Sequence, residues 1–456
     1  MADRSWSPGR VDAGRLSGFA DRVSVPPGGS VRLYVSTSAR TWTATAYRMG
    51  WYGGALAGRI RSWPTQQGVR QAPPAEIPAT RTPYAPWRPS LTVSTAGWMP
   101  GDYLFKLHSA SGFDWLVPLT VRSPSAAGRV VIVNAVTTWQ AYNTWGGRSL
   151  YAGRTGGLAQ RAYAVSFDRP YGFGAGAADF LGNELPLVAL AERLRLPLAY
   201  VTDVDLDVDR TVLAGARALI SLGHDEYWSA AMRAQVTAAR DAGMNIAFLG
   251  ANAVYRPIRL SATRLGANRL EIDYKNARLD PIWSSNPRAA TAWSWDSLPY
   301  PRPQSVLTGA LYRCNPVRAD MVAVDPDSWL LRGLVAHGQA LHGLVGSEYD
   351  GVDLAVPTPR PMEVLFHSPV RCGGRPDFAD AVYYTARSGA AVFDSGTSSF
   401  VCALAAGDCS GGRGDATADA VVRGIMVRLL TAFAAGPAGR PHPAHDNLAQ
   451  LGLLGR

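Results

Sequence analysis

The sequence predicts an α/β chain preceded by an all-β region. An immunoglobulin-like β-sandwich is expected over residues 16–122, and a doubly wound α/β region over 129–450. Three observations carry this. Residues 16–122 hold short stretches of period-two alternation separated by turn signals. From Arg129 the apolar runs become continuous and β-branched, as in strands buried on both faces. Those runs then alternate with helical periodicity, the grammar of a parallel sheet.

Taken in order, "SVRLYVST" (30–37), "TWTATAYRM" (41–49) and "WLVPLTV" (115–121) read as half-buried strands. Turns are marked by Pro26-Pro27-Gly28-Gly29, Gly53-Gly54 and Pro100-Gly101-Asp102. "SPSAAG" (123–128) reads as a linker. "VVIVNAV" (130–136), "LAYVTD" (198–203), "ALISLG" (218–223) and "NIAFLG" (245–250) are the expected parallel strands. Between them, "FLGNELPLVALAERLRL" (180–196) has helical spacing, and a helix over 230–242 is framed by Ser229 as N-cap and Gly243 as stop. Residues 262–380 are Pro- and Trp-rich and read as an irregular or β-rich insertion. The α/β pattern returns with "AVYYTAR", "AAVFDSG" and a helix over 419–434.

Composition narrows the function. The 456 residues are 47% hydrophobic and 18% charged, enough for a large core. The net charge is +10, but only Lys106 and Lys275 are lysines, and the arginines are scattered. That is the coding bias of a GC-rich genome rather than a basic stripe, so no nucleic-acid partner is expected. No apolar run is long enough to span a membrane. Four cysteines, Cys314, Cys372, Cys402 and Cys409, form no CxxC motif. Cys402 with Cys409 and Cys314 with Cys372 are the pairs to expect if the thiols are oxidised, which would favour an extracellular location. The N-terminus carries no signal-peptide pattern.

The chemistry concentrates at strand ends, where open parallel sheets present ligands to a crevice. "TTWQAYNTWGG" (137–147), "SFDRPY" (166–171), "GHDEYW" (223–228) and "LGANAVY" (249–255) all fall there. No nucleophile elbow, strand-end cysteine or phosphate loop occurs among them. Hydrolysis at this crevice would need a metal-activated water. Several features read more plainly as structure. Asp225 points away from its neighbours in an extended backbone. "TDVDLDVD" (202–209) reads as a solvated strand-to-helix turn, since it lacks the glycine and glutamate of a calcium loop. His337 and His342 have no third ligand near in sequence.

In this order, "TWQAYNTWGG", "SFDRPY", "GHDEYW" and "FLGANAVY" resemble the large (beta) subunit family of N,N-dimethylformamidase, and so does "YRMGWYGG" (47–54). The resemblance spans about residues 16–450. It implies a glutamine-amidotransferase-like α/β core and hydrolysis of a small linear amide by one iron, Fe3+, per chain, held by two tyrosines and a glutamate. On that basis Tyr142, Tyr171 and Glu226 match the metal ligands, with Tyr151 the rival of Tyr171. His224 and Asn252 match substrate-facing positions, and Glu348 the further acid, with Glu363 as its alternative. Phenolate and carboxylate oxygens suit ferric iron better than zinc. The family's tryptophan near position 256 is replaced here by Arg256, followed by Pro257. The family also leaves room for a small partner subunit or a homo-oligomer. The competing reading is a carbohydrate-binding or non-catalytic secreted protein that keeps the fold. Glycosidase chemistry would need Glu226 and Glu348 to face each other across a groove.

Overall fold

The computed structural model describes residues 2–297, 301–405 and 416–454. It is a strand-rich α/β architecture with several sheets. Two larger ones come from the N-terminal region, beside a two-stranded pair of Ala75–Ile77 and Thr82–Tyr84. One orders Leu16–Ala20, Ser30–Thr37 and Leu91–Ser94; the other runs through Ser24–Val25, Asp114–Val121, Gly101–Ser109, Thr41–Met49 and Ala57–Ser62. Along Thr41–Met49 alternate residues are buried, which sends Trp42, Ala44 and Ala46 into a core shared with Leu33, Val35, Phe105 and Trp115.

Among the described residues the central sheet has seven strands. Five are parallel, in the order Leu198–Thr202, Val130–Asn134, Ala218–Leu222, Asn245–Leu249 and Ala391–Asp394. Val130–Asn134, Ala218–Leu222 and Asn245–Leu249 are buried at every position, because both faces are covered. Val130, Ile132, Ala218 and Ile220 pack on the side of the helices Leu185–Arg193 and Ala416–Ala435. Val131, Val133, Leu219 and Ile246 pack on the side of Ala230–Asp241. The Ser229 hydroxyl caps that helix by accepting from the Met232 N–H at 3.2 Å.

Part of the 262–380 stretch takes the β-rich form of its two expected alternatives: Met362–Cys372 and Arg375–Thr385 extend the central sheet as antiparallel strands. The run of aspartates is solvated only in part, with Asp207 and Asp209 half-buried. Asp203–Val208 is a short helix with Thr202 as its cap, and Asp203 and Asp205 are buried. Their oxygens accept from Thr137 and Thr202 hydroxyls, which compensates the burial. Cys314 and Cys372 form a disulfide, compatible with an oxidising, extracellular compartment. The other expected pair involves Cys409, which lies outside the described residues. No described helix is long and apolar enough to cross a membrane.

The N-terminal sheets meet the central sheet through a buried polar chain. The Thr120 hydroxyl lies 3.3 Å from Asp102 and 3.1 Å from Asn134 Oδ1, and Asn134 donates to Glu184 at 2.6 Å. Burial pushes Asp102 from 3.8 up to about 7. The folded chain therefore holds a proton that the unfolded chain releases. This contribution is complete below about pH 4 and is lost as pH rises towards 7. Asp102→Asn removes the dependence. Urea unfolding should show the variant gaining on the wild type between pH 4 and 8, by up to about 4 kcal/mol. A parallel pH dependence in both proteins would contradict the assignment.

Candidate functional site

Backbone turns at strand ends bring the polar groups together. Gly223 leaves the strand Ala218–Leu222 with φ +58°, and a Cβ on Gly250 would sit 1.3 Å from the Gly223 carbonyl oxygen. A side chain at position 250 would block this approach of the strand ends, while the positive φ at Gly223 favours glycine there. The Glu226 carbonyl then accepts from the N–H groups of Tyr255 and Arg256, at 2.9 and 2.8 Å. The short strand Tyr227–Ser229 pairs in parallel with Arg256–Thr263, which fixes Glu226 beside Arg256. Tyr142 arrives at the end of the helix Val136–Tyr142, directly after the first central strand.

Glu226 is fully buried, and each of its oxygens accepts from a tyrosine. The Tyr142 hydroxyl donates to Oε2 at 2.7 Å, and the Tyr151 hydroxyl to Oε1 at 2.5 Å. The two rings stack with centroids 4.6 Å apart. Burial, followed by the Glu226 charge, raises both phenols well above the ordinary tyrosine value. Arg256 Nε donates to Glu226 Oε1 at 2.9 Å. Its guanidinium lies 4.0 Å from the centroid of the Trp293 ring and 4.8 Å from that of Tyr255. Lys275 sits 3.8 Å over the Tyr151 ring and donates to the Tyr227 hydroxyl; burial brings its ammonium down to about 8.

His224 stands between two carboxylates. Its Nε2 is 3.6 Å from Glu226 Oε2 and 3.0 Å from Glu348 Oε2. Burial opposes the charged imidazole, but Glu348 and then Glu226 overcome it and push His224 up to about 10. Burial likewise opposes the Glu348 charge, but His224 and two asparagine side chains hold it below the ordinary range. Asn315 Nδ2 donates to its Oε1 at 2.8 Å. Asn252 has φ +60° and donates its backbone N–H to Asp350 at 2.8 Å. His224 Nε2 and Glu348 Oε2 are buried and satisfy each other as an ion pair, whereas the buried Asn252 Oδ1 has no hydrogen-bond partner among the described residues. Such an unsatisfied group calls for a ligand or water. Tyr142, His224 and Glu348 open onto a cavity of about 360 Å³.

The expected residues are therefore distributed unevenly. Tyr142, Glu226, His224 and Glu348 come together. Tyr171 does not join them: its ring meets Trp139 edge-on at 5.9 Å, in the apolar cluster containing Phe167, Phe180 and Leu104. Tyr151, its rival, is the tyrosine on Glu226. Glu363 is held beside Ser328 and His445. Asp225 accepts from Ser221 and Trp228 and keeps the turn in shape. His337 and His342 contact the Val324 carbonyl and Asp320. Arg256, Lys275 and Asn315 were not anticipated as contacts. No group of three His, Cys, Asp or Glu among the described residues is arranged for a metal. The Glu226 cluster differs in drawing two of its three side chains from tyrosine.

Comparison with known proteins agrees with the motifs. Among curated proteins none matches the chain significantly. A solved Paenibacillus sp. cycloisomaltooligosaccharide glucanotransferase, complexed with cycloisomaltoheptaose, aligns at 13% identity and a TM-score of 0.16. That alignment covers 30% of this chain and 18% of the other. The model of the "N,N-dimethylformamidase beta subunit-like, C-terminal" family matches residues 43–414. With most of its length matched, the chain belongs to the N,N-dimethylformamidase beta subunit-like family.

Proposed function

We propose that the chain is an iron-dependent hydrolase of small linear amides, with one ferric ion per chain held by Tyr142, Tyr151 and Glu226. The observation that carries this reading is the convergence of two phenols on one fully buried carboxylate. The donor chemistry fits: three hard oxygens suit a trivalent cation, and a cation replacing the two phenol protons would stabilise the phenolates that burial disfavours. Bound there, the ion would supply Lewis acidity towards water and the amide carbonyl.

The protein's own groups would manage the protons. Glu348, a carboxylate at the cavity wall, accepts the proton released by the attacking water. His224, 3.0 Å away, delivers a proton to the departing nitrogen, because an amide anion is a poor leaving group. Asn252 orients the acyl group from the side of Glu348. The same reading includes the immunoglobulin-like form of the N-terminal sheets and the amidotransferase-like form of the α/β region.

Iron content and the visible spectrum test this proposal. The wild type should bind about one iron and show a phenolate-to-iron charge-transfer band, and it should hydrolyse dimethylformamide or a close amide. Tyr151→Phe should lose or displace the band, whereas Tyr171→Phe should leave it in place. A band that vanished only in Tyr171→Phe would overturn the ligand set. Wild-type protein that took up no iron would remove the mechanism.

A further inference from the structure

Arg256 touches two of the three side chains of the cluster at once. Its Nε donates to Glu226 Oε1 at 2.9 Å, and its Nη2 donates to the Tyr151 hydroxyl oxygen at 3.2 Å. Nη1 donates to the Trp293 carbonyl. The guanidinium is held in this orientation from several sides. Its backbone pairs in register with Tyr227, and the Trp293 and Tyr255 rings flank it at 4.0 and 4.8 Å. At 4% exposure it cannot turn out to water. Tyr142 is treated differently: its hydroxyl meets Glu226 Oε2, and no described arginine or lysine donates to it.

The other charges around the cluster are answered by neighbours. Lys275 lies under the Tyr151 ring, but Asp273 is 3.5 Å from its Nζ and both are fully buried. His224 has Glu348 at 3.0 Å. Arg256 makes its one ion pair among the described residues with Glu226 itself. Its charge is permanent and, at this depth, weakly screened, so it acts on the cluster. A donor that bonds to a metal-binding oxygen draws electron density from it and so tunes the metal.

We infer that Arg256 is a positioning residue that makes the bound iron more acidic and easier to reduce, by drawing charge from Tyr151 and Glu226 together. This rests on the iron reading above. Reduction adds negative charge near a fixed cation, so Arg256 favours the ferrous state. Charge transfer from Tyr151 to iron moves negative charge away from that cation, so Arg256 raises the energy of the visible band. The test compares iron-loaded wild type, Arg256→Gln and Arg256→Lys in redox mediators, following that band. At the potential that half-reduces the wild type, the ferric-to-ferrous ratio in Arg256→Gln should be at least about ten-fold higher, or about 59 mV for one electron. Its band should lie at longer wavelength. Arg256→Lys keeps the charge but has one donor centre and cannot span both oxygens, so it should fall between the two. A Gln variant that held iron with the wild-type potential and band would make Arg256 a packing residue and overturn the proposal. So would a Lys variant matching the wild type in both, and this variant decides if Arg256→Gln does not fold, because Glu226 stays paired. Wild type that bound no iron would overturn the iron reading and this inference with it. The expected shifts without hydrolysis of dimethylformamide or a close amide would keep the role of Arg256 and reject the amidase reading.

Discussion

Replacing Glu226 by alanine should abolish iron binding and amide hydrolysis together. The side chain accepts a hydrogen bond from both phenols, so its loss leaves Tyr142 and Tyr151 with no common anion between them. Two phenols alone make a poor site, because each must shed a proton from a buried position. The substitution also strands Arg256, which is 4% exposed and makes its one ion pair among the described residues with Glu226. An arginine cannot shed its charge, so the fold should lose about 3–5 kcal/mol. Lost activity alone would then be ambiguous. The double variant Glu226→Ala/Arg256→Met removes the stranded charge and should recover most of the thermal stability while still binding no iron. A double variant that kept the wild-type iron band would show that Glu226 is not a ligand.

Much of this centre was legible in the sequence because it lies at strand ends. Glu226 and His224 follow a continuous apolar run and a glycine, and Tyr142 closes the helix that follows the first such run. Those positions are dictated by local pattern. Tyr151 is different. It lies in an irregular segment between the helix Val136–Tyr142 and the strand Ala164–Ser166, with no periodicity to orient it. Its place is set by tertiary contacts such as the Leu150 N–H bonding the Ala141 carbonyl. Tyr171, in a recognisable motif, was the more visible tyrosine, yet it packs against Trp139. Lys275 did leave a trace. In a chain that otherwise uses arginine, one of the two lysines sits buried over Tyr151. A compact ammonium fits under a ring where a planar guanidinium would need more room. The role of Arg256 could not be read, because it depends on the pairing of two strands far apart in sequence. The same limit applied to the end of the 262–380 stretch, where strands joining the central sheet from its antiparallel edge carry no parallel-sheet signature.

Glu348→Gln should separate metal binding from chemistry. Glu348 touches His224 and Asn315 rather than either tyrosine, so iron and its visible band should persist. Glutamine keeps an oxygen for the Asn315 amide and nearly the same volume, so the cavity should keep its shape. What it cannot do is take a proton or hold His224 in its charged form. Hydrolysis should therefore fall by about 10²–10⁴-fold, mainly in kcat. The cost to stability should be smaller than for Glu226→Ala, since a histidine left without its anion can become neutral whereas Arg256 cannot. Each alternative result points elsewhere. Full activity would make the His224–Glu348 pair a structural contact. Loss of iron together with activity would make Glu348 part of the metal site, and the proton transfers would then fall to His224 and water.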